Sequence, residues 1–408
     1  MFFLVEDVQV NSHSTHIEEF IFTEYFRGLK NALEGMHYII ANIGTNVSKS
    51  VSTKIDGSPA IFVFWDKNRR FGIAKKSIFN KNPQICYSHE DIDAQLDGDL
   101  AKTFHACFDA LQKVIVKDGK VHQGDLLFIK DSLKSVTVNG QECWAFHPNT
   151  IMYTVPKDSD SGNQIANAKV GVAFHTDYSW DGEDPKTLKV SKFGVKKTQF
   201  KPHKDVFLID TVSNLVTPKK LEFSEDEMLE IKGYLKEALS IGKSLDWSIL
   251  SERGKLSTEL KTFINTYIRD NAVMPHPNKR LVEFFEYMEA KVEKEIAKLK
   301  TQSAKDKVRV KYQEIFDAKE RSIDIEKIFE IFDLLTKAKL MILKKLNDLS
   351  IYNNFVLTAN GDMVATGDEG FIISKTSAKG AKLVDRYTFS KNNFSKEIIK
   401  GWKRANDL

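Results

Sequence analysis

The chain ends by returning to strand texture. "NFVLTANGDMVATGDEGFIISK" and "AKLVDRYTF" set short apolar runs between turn residues. Residues 351–408 are too few to enclose a core of their own, so these strands have to complete a sheet begun elsewhere. Matching texture lies far upstream, from Val47 to Tyr178, in "AIFVFW", "FGIA", "DLLFI", "SVTV", "CWAF", "IMYTV" and "VGVAF". Turn signals such as Asn139-Gly140 punctuate it. One helix interrupts, at about Leu100 to Val116.

Between the two strand regions, from about Phe223 to Leu349, the period becomes helical. "SEDEMLEIKGYLKEAL" opens on a Ser224…Glu227 capping box. In "IEKIFEIFDLLTKAKLMILKKL", Ile325, Ile328, Phe329, Phe332, Leu335, Ile342, Leu343 and Leu346 make one apolar stripe. Alternating Glu and Lys are expected on the solvated face. A further helix is expected at the start, where Ile17, Phe20, Ile21, Tyr25, Leu29 and Leu33 repeat at helical spacing behind Ser14 or Thr15 as a cap. The expectation is an α+β protein interrupted by an all-helical insert: residues 1–216, the insert at 217–350, and a return at 351–408.

Apolar residues make up 42% of the chain, enough for a real core, and the net charge of +4 excludes a bulk nucleic-acid coat while leaving room for a local basic groove. Cys86, Cys107 and Cys143 are far apart and form no metal or disulfide framework. "MFFLVEDVQV" lacks the basic start of a signal peptide, and no apolar run approaches the roughly 20 residues that span a bilayer. A soluble cytoplasmic protein with no membrane partner is expected.

The chemistry-bearing stretch is "VSTKIDGSPAIFVFW", in which a polar turn runs into a buried strand. Taken alone, Lys54-Ile55-Asp56-Gly57 is either a charged turn at the mouth of a core strand or the seat of a nucleophilic lysine. Gly57 permits a tight turn whose N–H groups can meet phosphate oxygens. Further along stand "FGIAKKSIFNK", "VHQGDLLFI", "FHPNTIMYTV", "KVGVAFHTDY", "DEGFIISK" and "GAKLVDR".

In that order these stretches resemble the motifs of the covalent nucleotidyltransferases, the superfamily of ATP-dependent RNA and DNA ligases and mRNA capping enzymes. The likeness is greatest to phage-type RNA ligases, and the whole chain is also similar to a group of proteins from large tailed phages. The resemblance covers most of residues 45–180 and 350–395. It implies an ATP-grasp-like ligase fold of antiparallel sheets with flanking helices, and an RNA ligase acting through a lysyl–AMP adduct on 5′-phosphate and 3′-hydroxyl ends; the alternatives are an ATP-dependent DNA ligase, or a nucleotide-binding phage protein that keeps the fold without turnover.

It assigns Lys54 as the AMP acceptor, with Asp56 and Lys382 assisting. Thr53, Ile55, Gly57, Ser58 and Lys76 would line the nucleotide site. Asp125, standing where the family usually has Glu, would bind ribose hydroxyls or, with Glu369, Mg²⁺ or Mn²⁺. Phe128 or Phe146 would stack on the base. His175 would be either a strand-end contact or a structural residue. Val384 replaces the family's second motif V lysine. On a strand, residues 382, 384 and 386 share a face, so Arg386 would restore that charge. No all-β module is expected after "GAKLVDR", which favours RNA over DNA as the implied partner.

Overall fold

The computed structural model describes residues 15–42, 51–55, 57–193, 195–209, 223–251, 255–348, 353–373, 376–377 and 380–401. After a 3₁₀ turn at Ile17–Glu19 come helices α1 (Phe20–Thr23) and α2 (Tyr25–Asn42). The single helix expected here is broken because Tyr25 adopts a left-handed φ of 56°. The start of α2 then folds against α1 so closely that a Cβ on Gly28 would lie 2.0 Å from the Phe20 carbonyl oxygen.

Strands β1 (Val51–Lys54), β2 (Ala60–Trp65), β3 (Phe71–Ala74) and β4 (Ile85–Cys86) lead to helices α3 (His89–Gln95) and α4 (Gly98–Leu111). Then follow β5 (Lys120–Ile129), β6 (Lys134–Val138), β7 (Gln141–Phe146), β8 (Ile151–Pro156), α5 (Asp160–Asn167), β9 (Val170–Ser179), β10 (Lys189–Phe193) and β11 (Val206–Leu208). The helical stretch is α6 (Glu225–Ser244), α7 (Ser248–Ser251), α8 (Leu256–Arg269), α9 (Pro277–Ile296), α10 (Gln302–Asp317) and α11 (Ser322–Asn347). The chain closes with β12 (Asn353–Thr358), β13 (Met363–Thr366), β14 (Gly370–Ile373), β15 (Lys382–Leu383), α12 (Arg386–Phe394) and β16 (Ile398–Ile399).

Antiparallel pairing dominates three sheets, giving the α+β class. A seven-stranded sheet runs β10-β9-β5-β2-β3-β4, with β11 parallel to β9. Strand β2 reads as an unbroken apolar run because both faces of this sheet are covered. Ile61 and Val63 enter one core with Phe104, Phe108 and Leu111 of α4, while Phe62 and Phe64 pack opposite with Tyr178. The second sheet runs β13-β12-β8-β7-β6, so the late strand β12 pairs with the early strand β8. Asn139 and Gly140, both at positive φ, turn the β6–β7 hairpin as their residue types require.

The third sheet, β1-β14-β15, joins the two ends of the chain most directly. One of its faces lies on the helices: Val51, Phe371, Ile373 and Leu383 share a core with Leu29 and Met36 of α2, Leu235 of α6, Phe263 of α8 and most of the α11 stripe. The helical segment is thereby built into the back of this small sheet. The Ser224–Glu227 capping box forms in both directions, at 3.1 and 2.9 Å. Helix α11 buries more than its expected stripe, including Ile331, Leu334 and Lys339, because α6, α9 and α2 surround it. Among the described residues, no helix is long and apolar enough to cross a membrane.

Candidate active site

Lys54 is the last residue of β1, and antiparallel pairing sets it opposite Gly370, the first residue of β14. Glu369 therefore arrives beside it, and the Lys54 ammonium donates to Glu369 Oε1. The lysine side chain is 29% exposed and the carboxylate 6%, so the acid is fixed from below while the amine reaches the surface. Ile372 pairs with Lys382 of β15. Residues opposite one another share a face, so Lys54, Gly370, Ile372 and Lys382 all lie on the face turned away from the helices. The first and last parts of the sequence meet here because the register of two short ladders aligns them.

Gly370 is the residue that lets this happen. Its φ is +155°, and a Cβ there would lie 2.4 Å from the Leu383 carbonyl oxygen and 2.7 Å from Val384 Cγ2. Gly370→Ala is expected to push β15 away from β14 and cost about 1–3 kcal/mol. Denaturant titration checks this; unchanged stability would show that the strands tolerate a wider spacing.

Lys382 is held below the usual lysine range, first by burial, then by the Lys54 charge; Glu19 and Glu369 act against this. The outer edge of β15 is closed by Thr15 and His16, with the Lys382 N–H donating to the Thr15 carbonyl at 2.8 Å. Burial, followed by the charges of Lys382, Arg386, Lys339 and Lys261, pushes His16 well below the usual histidine range. Its unfolded value lies near 6.5. His16 thus contributes stability that is complete above that pH and is lost as pH falls from there through the folded value. Denaturant midpoints measured between pH 8 and pH 5 are expected to drop across this window, and less so in His16→Gln.

Two carboxylates missed by sequence reasoning anchor the arrangement. Glu18 and Glu19 are 0% and 4% exposed. Lys339 of α11 meets Glu18 at 2.6 Å, and Lys261 of α8 meets Glu19 at 3.0 Å. Arg386 lies 2.9 Å from Glu19 and 3.6 Å from Glu18, and also donates to Asn265 of α8. The sequence signal was present: "HIEEFIF" places two adjacent acids inside an apolar run, where they have to be paired.

Arg386 corrects the strand-face expectation. Strand β15 stops at Leu383, and Asp385 accepts from the Tyr387 and Thr388 N–H groups as the N-cap of α12. Arg386 is thus the first residue of a helix, and its guanidinium is committed to the Glu18–Glu19 cluster. Val384, where the resemblance called for a second lysine, is buried at 3%.

The turn after Lys54 lies against β5. A Cβ on Gly57 would fall 2.6 Å from the Asp125 Cβ, the Ser58 N–H donates to Leu126 O at 3.0 Å, and Ala60 pairs with Asp125. Asp125 faces His175 Nε2 of β9 at 3.8 Å, so these two partly exposed side chains sit together beside the turn. Thr53 is buried, Ser58 is exposed, and Ile55 is buried in a core with Phe128 and Phe146. Those two rings are 2% and 0% exposed and pack on each other at 5.3 Å. They form the floor under the turn, which corrects the expectation that either presents a face to a base. Lys76 is exposed and opens the 3₁₀ turn after β3, whose Ile78 is buried. Asp56 lies outside the described residues.

The acids expected to hold a metal are oxygen donors of the kind Mg²⁺ takes. Among the described residues, no group of three or more His, Cys, Asp and Glu is placed to hold a metal ion. An ion at Glu369 or Asp125 would complete its shell with water and phosphate oxygens.

A family model described as "Family of unknown function (DUF6267)" matches residues 11–398, and the chain belongs to that family. No curated protein and no solved structure matches it.

Proposed function

We propose that this protein is a nucleotidyltransferase that carries AMP on Lys54 and passes it to a polynucleotide end, as an ATP-dependent ligase. The observation that carries this reading is that Lys54 and Lys382 share one face of the β1-β14-β15 sheet, with Glu369 accepting from the Lys54 ammonium. A surface-reaching amine, a buried carboxylate and a partly desolvated cation from distant sequence positions suit attack on a phosphate. A phosphate entering this face would meet Lys382 as its electrostatic partner and Lys54 as its nucleophile.

In the reaction, the Lys54 ammonium first gives a proton to Glu369 or solvent; the neutral amine then forms a P–N bond to the α-phosphate of ATP as the bond to pyrophosphate breaks, and the second amine proton leaves to solvent. The AMP then moves to a 5′-phosphate, freeing Lys54, and attack by a 3′-hydroxyl joins the ends and releases AMP. Mg²⁺ or Mn²⁺ held at Glu369 or at Asp125 would neutralise charge developing on the phosphates. Asp125 and His175, beside the turn, would bind ribose hydroxyls. RNA is the favoured polymer on the motif resemblance, and the location proposed is the cytoplasm.

The test is incubation with α-labelled ATP or GTP and Mg²⁺ or Mn²⁺, followed by denaturation and peptide mapping. Label from ATP on the peptide containing Lys54 is the expected result. No label with either nucleotide and either metal ion would overturn the reading. Discharge of the labelled protein by 5′-phosphorylated RNA, and not by nicked DNA, is expected to identify the polymer. The reverse outcome would make it a DNA ligase.

A further inference from the structure

The stretch from Lys186 to Lys204 has no part in the site described above. Seven of its 19 residues are lysine and none is Asp or Glu. All seven lysines are exposed, and none meets a carboxylate among the described residues. The stretch follows the edge of the seven-stranded sheet as β10, a 3₁₀ turn at Lys197–Gln199 and the approach to β11. Lys192 of β10 donates to Gln199, whose own amide donates to Asp177 of β9 at 3.1 Å, so the strand and the turn lie side by side. Strands β10 and β11 both pair with β9, and His175 stands between their two ladders. Asp205, which follows the stretch, lies 2.7 Å from Lys113 and 3.7 Å from Lys169, so its charge is already matched.

A cavity of about 770 Å³ opens beside this strip, lined by α5, the turn and β11. Phe200, Val206 and Leu208 give it an apolar floor. Lys197 and Lys204 line it together with His203. The His203 Nδ1 accepts from the Asp205 N–H at 3.1 Å, so a neutral ring carries its proton on Nε2. Asn163, Gln164 and Asn167 share one face of α5 and bring three amides to the wall. Asn167 donates one N–H to the Asn163 carbonyl at 2.9 Å and keeps its side-chain oxygen as an acceptor. Among the described residues, no Asp or Glu lines the cavity.

A ligand suited to this surface carries repeated negative charge for the lysines, an apolar body for the floor and an edge of donors and acceptors for the amides. We propose that the strip and the cavity bind a single-stranded polynucleotide, with one unstacked base in the cavity and the flanking phosphates on the lysines. The volume is adequate, since small-molecule sites span roughly 300–1,000 Å³. A duplex keeps its bases stacked and would offer the strip its phosphates alone. An acidic peptide matches the lysines but brings no ring edge to the amides. The inference deepens the ligase reading and rests on it for the role of the polymer. A strand bound here would lie along the β9 edge at which His175 stands.

Fluorescence anisotropy of the full chain tests this, with a 3′-labelled single-stranded RNA of about 12 nucleotides that lacks a 5′-phosphate, in the absence of ATP and metal ion. The single strand is expected to bind about tenfold or more tightly than the same sequence as a duplex, and than polyglutamate of similar charge. Each lysine–phosphate contact adds about 0.7 to the slope of log affinity against log salt, so Lys197→Ala/Lys204→Ala is expected to lower that slope by about 1.4. Asn163→Trp obstructs the cavity from an exposed helix position. It is expected to remove the preference for single strands and leave the salt slope unchanged. Labelling of Lys54 by ATP is expected to be unaffected in both variants, so failure of this surface and failure of the ligase reading are separate results. Absence of RNA binding would overturn the proposal, and equal binding of polyglutamate would reassign the surface to an acidic protein. An unchanged salt slope in the lysine variant, or a preserved single-strand preference in Asn163→Trp, would also overturn it.

Discussion

Lys54→Ala is expected to abolish covalent nucleotide on the chain, and Lys54→Arg to do the same while keeping the charge. The two variants separate chemistry from architecture. Glu369 is 6% exposed and receives the Lys54 ammonium, so alanine leaves a buried carboxylate without that partner. Arginine keeps a cation at Glu369 but offers no nucleophile of lysine's kind, since its guanidinium stays protonated. Loss of label in both variants, with native stability in Lys54→Arg, is the result that fits a nucleophile. Persistent label in Lys54→Arg would place the acceptor elsewhere. Lys382→Met is expected to slow labelling by about 10²–10³-fold without moving the labelled peptide, because it removes electrostatic stabilisation and leaves the nucleophile. Single-turnover rates measure this directly.

The residues of this site were legible because each belongs to a local pattern. "KIDGSPAIFVFW" announces a turn entering a two-sided strand, and β2 is that strand. "DEGFIISK" and "AKLVDR" supply the short runs that become β14 and β15. Asn139-Gly140 and Ser224…Glu227 each encode a conformation within four residues, and both form.

What stayed hidden depends on distant partners or on competition between local rules. Arg386 had the right parity for a strand, but the Asp385 side chain offers the next N–H groups a helix cap, and the cap prevails. Phe128 and Phe146 have the residue type of a stacking surface. Packing on each other inside a shared core buries them, and only the assembled sheets show which face is covered. Lys339 sits in a helix whose Lys337 and Lys344 are exposed. Its burial follows from meeting Glu18, a residue no local window contains.

That pair carries the other large expected effect. Lys339 and Glu18 are 1% and 0% exposed and 2.6 Å apart. Two charges taken this far from water are stable only as a pair, so removing one leaves the other uncompensated. Lys339→Met keeps most of the side-chain volume and is expected to cost about 3–5 kcal/mol, read as a shift in denaturant midpoint. Arg386, 3.6 Å from Glu18 but 2.9 Å from Glu19, supplies only part of the missing charge. The double variant Lys339→Met/Glu18→Gln is expected to recover much of the loss, because neither charge then remains buried alone. A double-mutant cycle measures that coupling. Equal losses in the single and double variants would mean that shape rather than charge holds α11 to the first turn. The cycle also bears on the site. Glu18 and Glu19 lie on the segment that closes the edge of β15, so a weakened pair loosens the backbone beneath Lys382 while leaving Lys54 and Glu369 in place. Lys339→Met is therefore expected to retain the label on Lys54 and to form it more slowly, at temperatures where the fold persists.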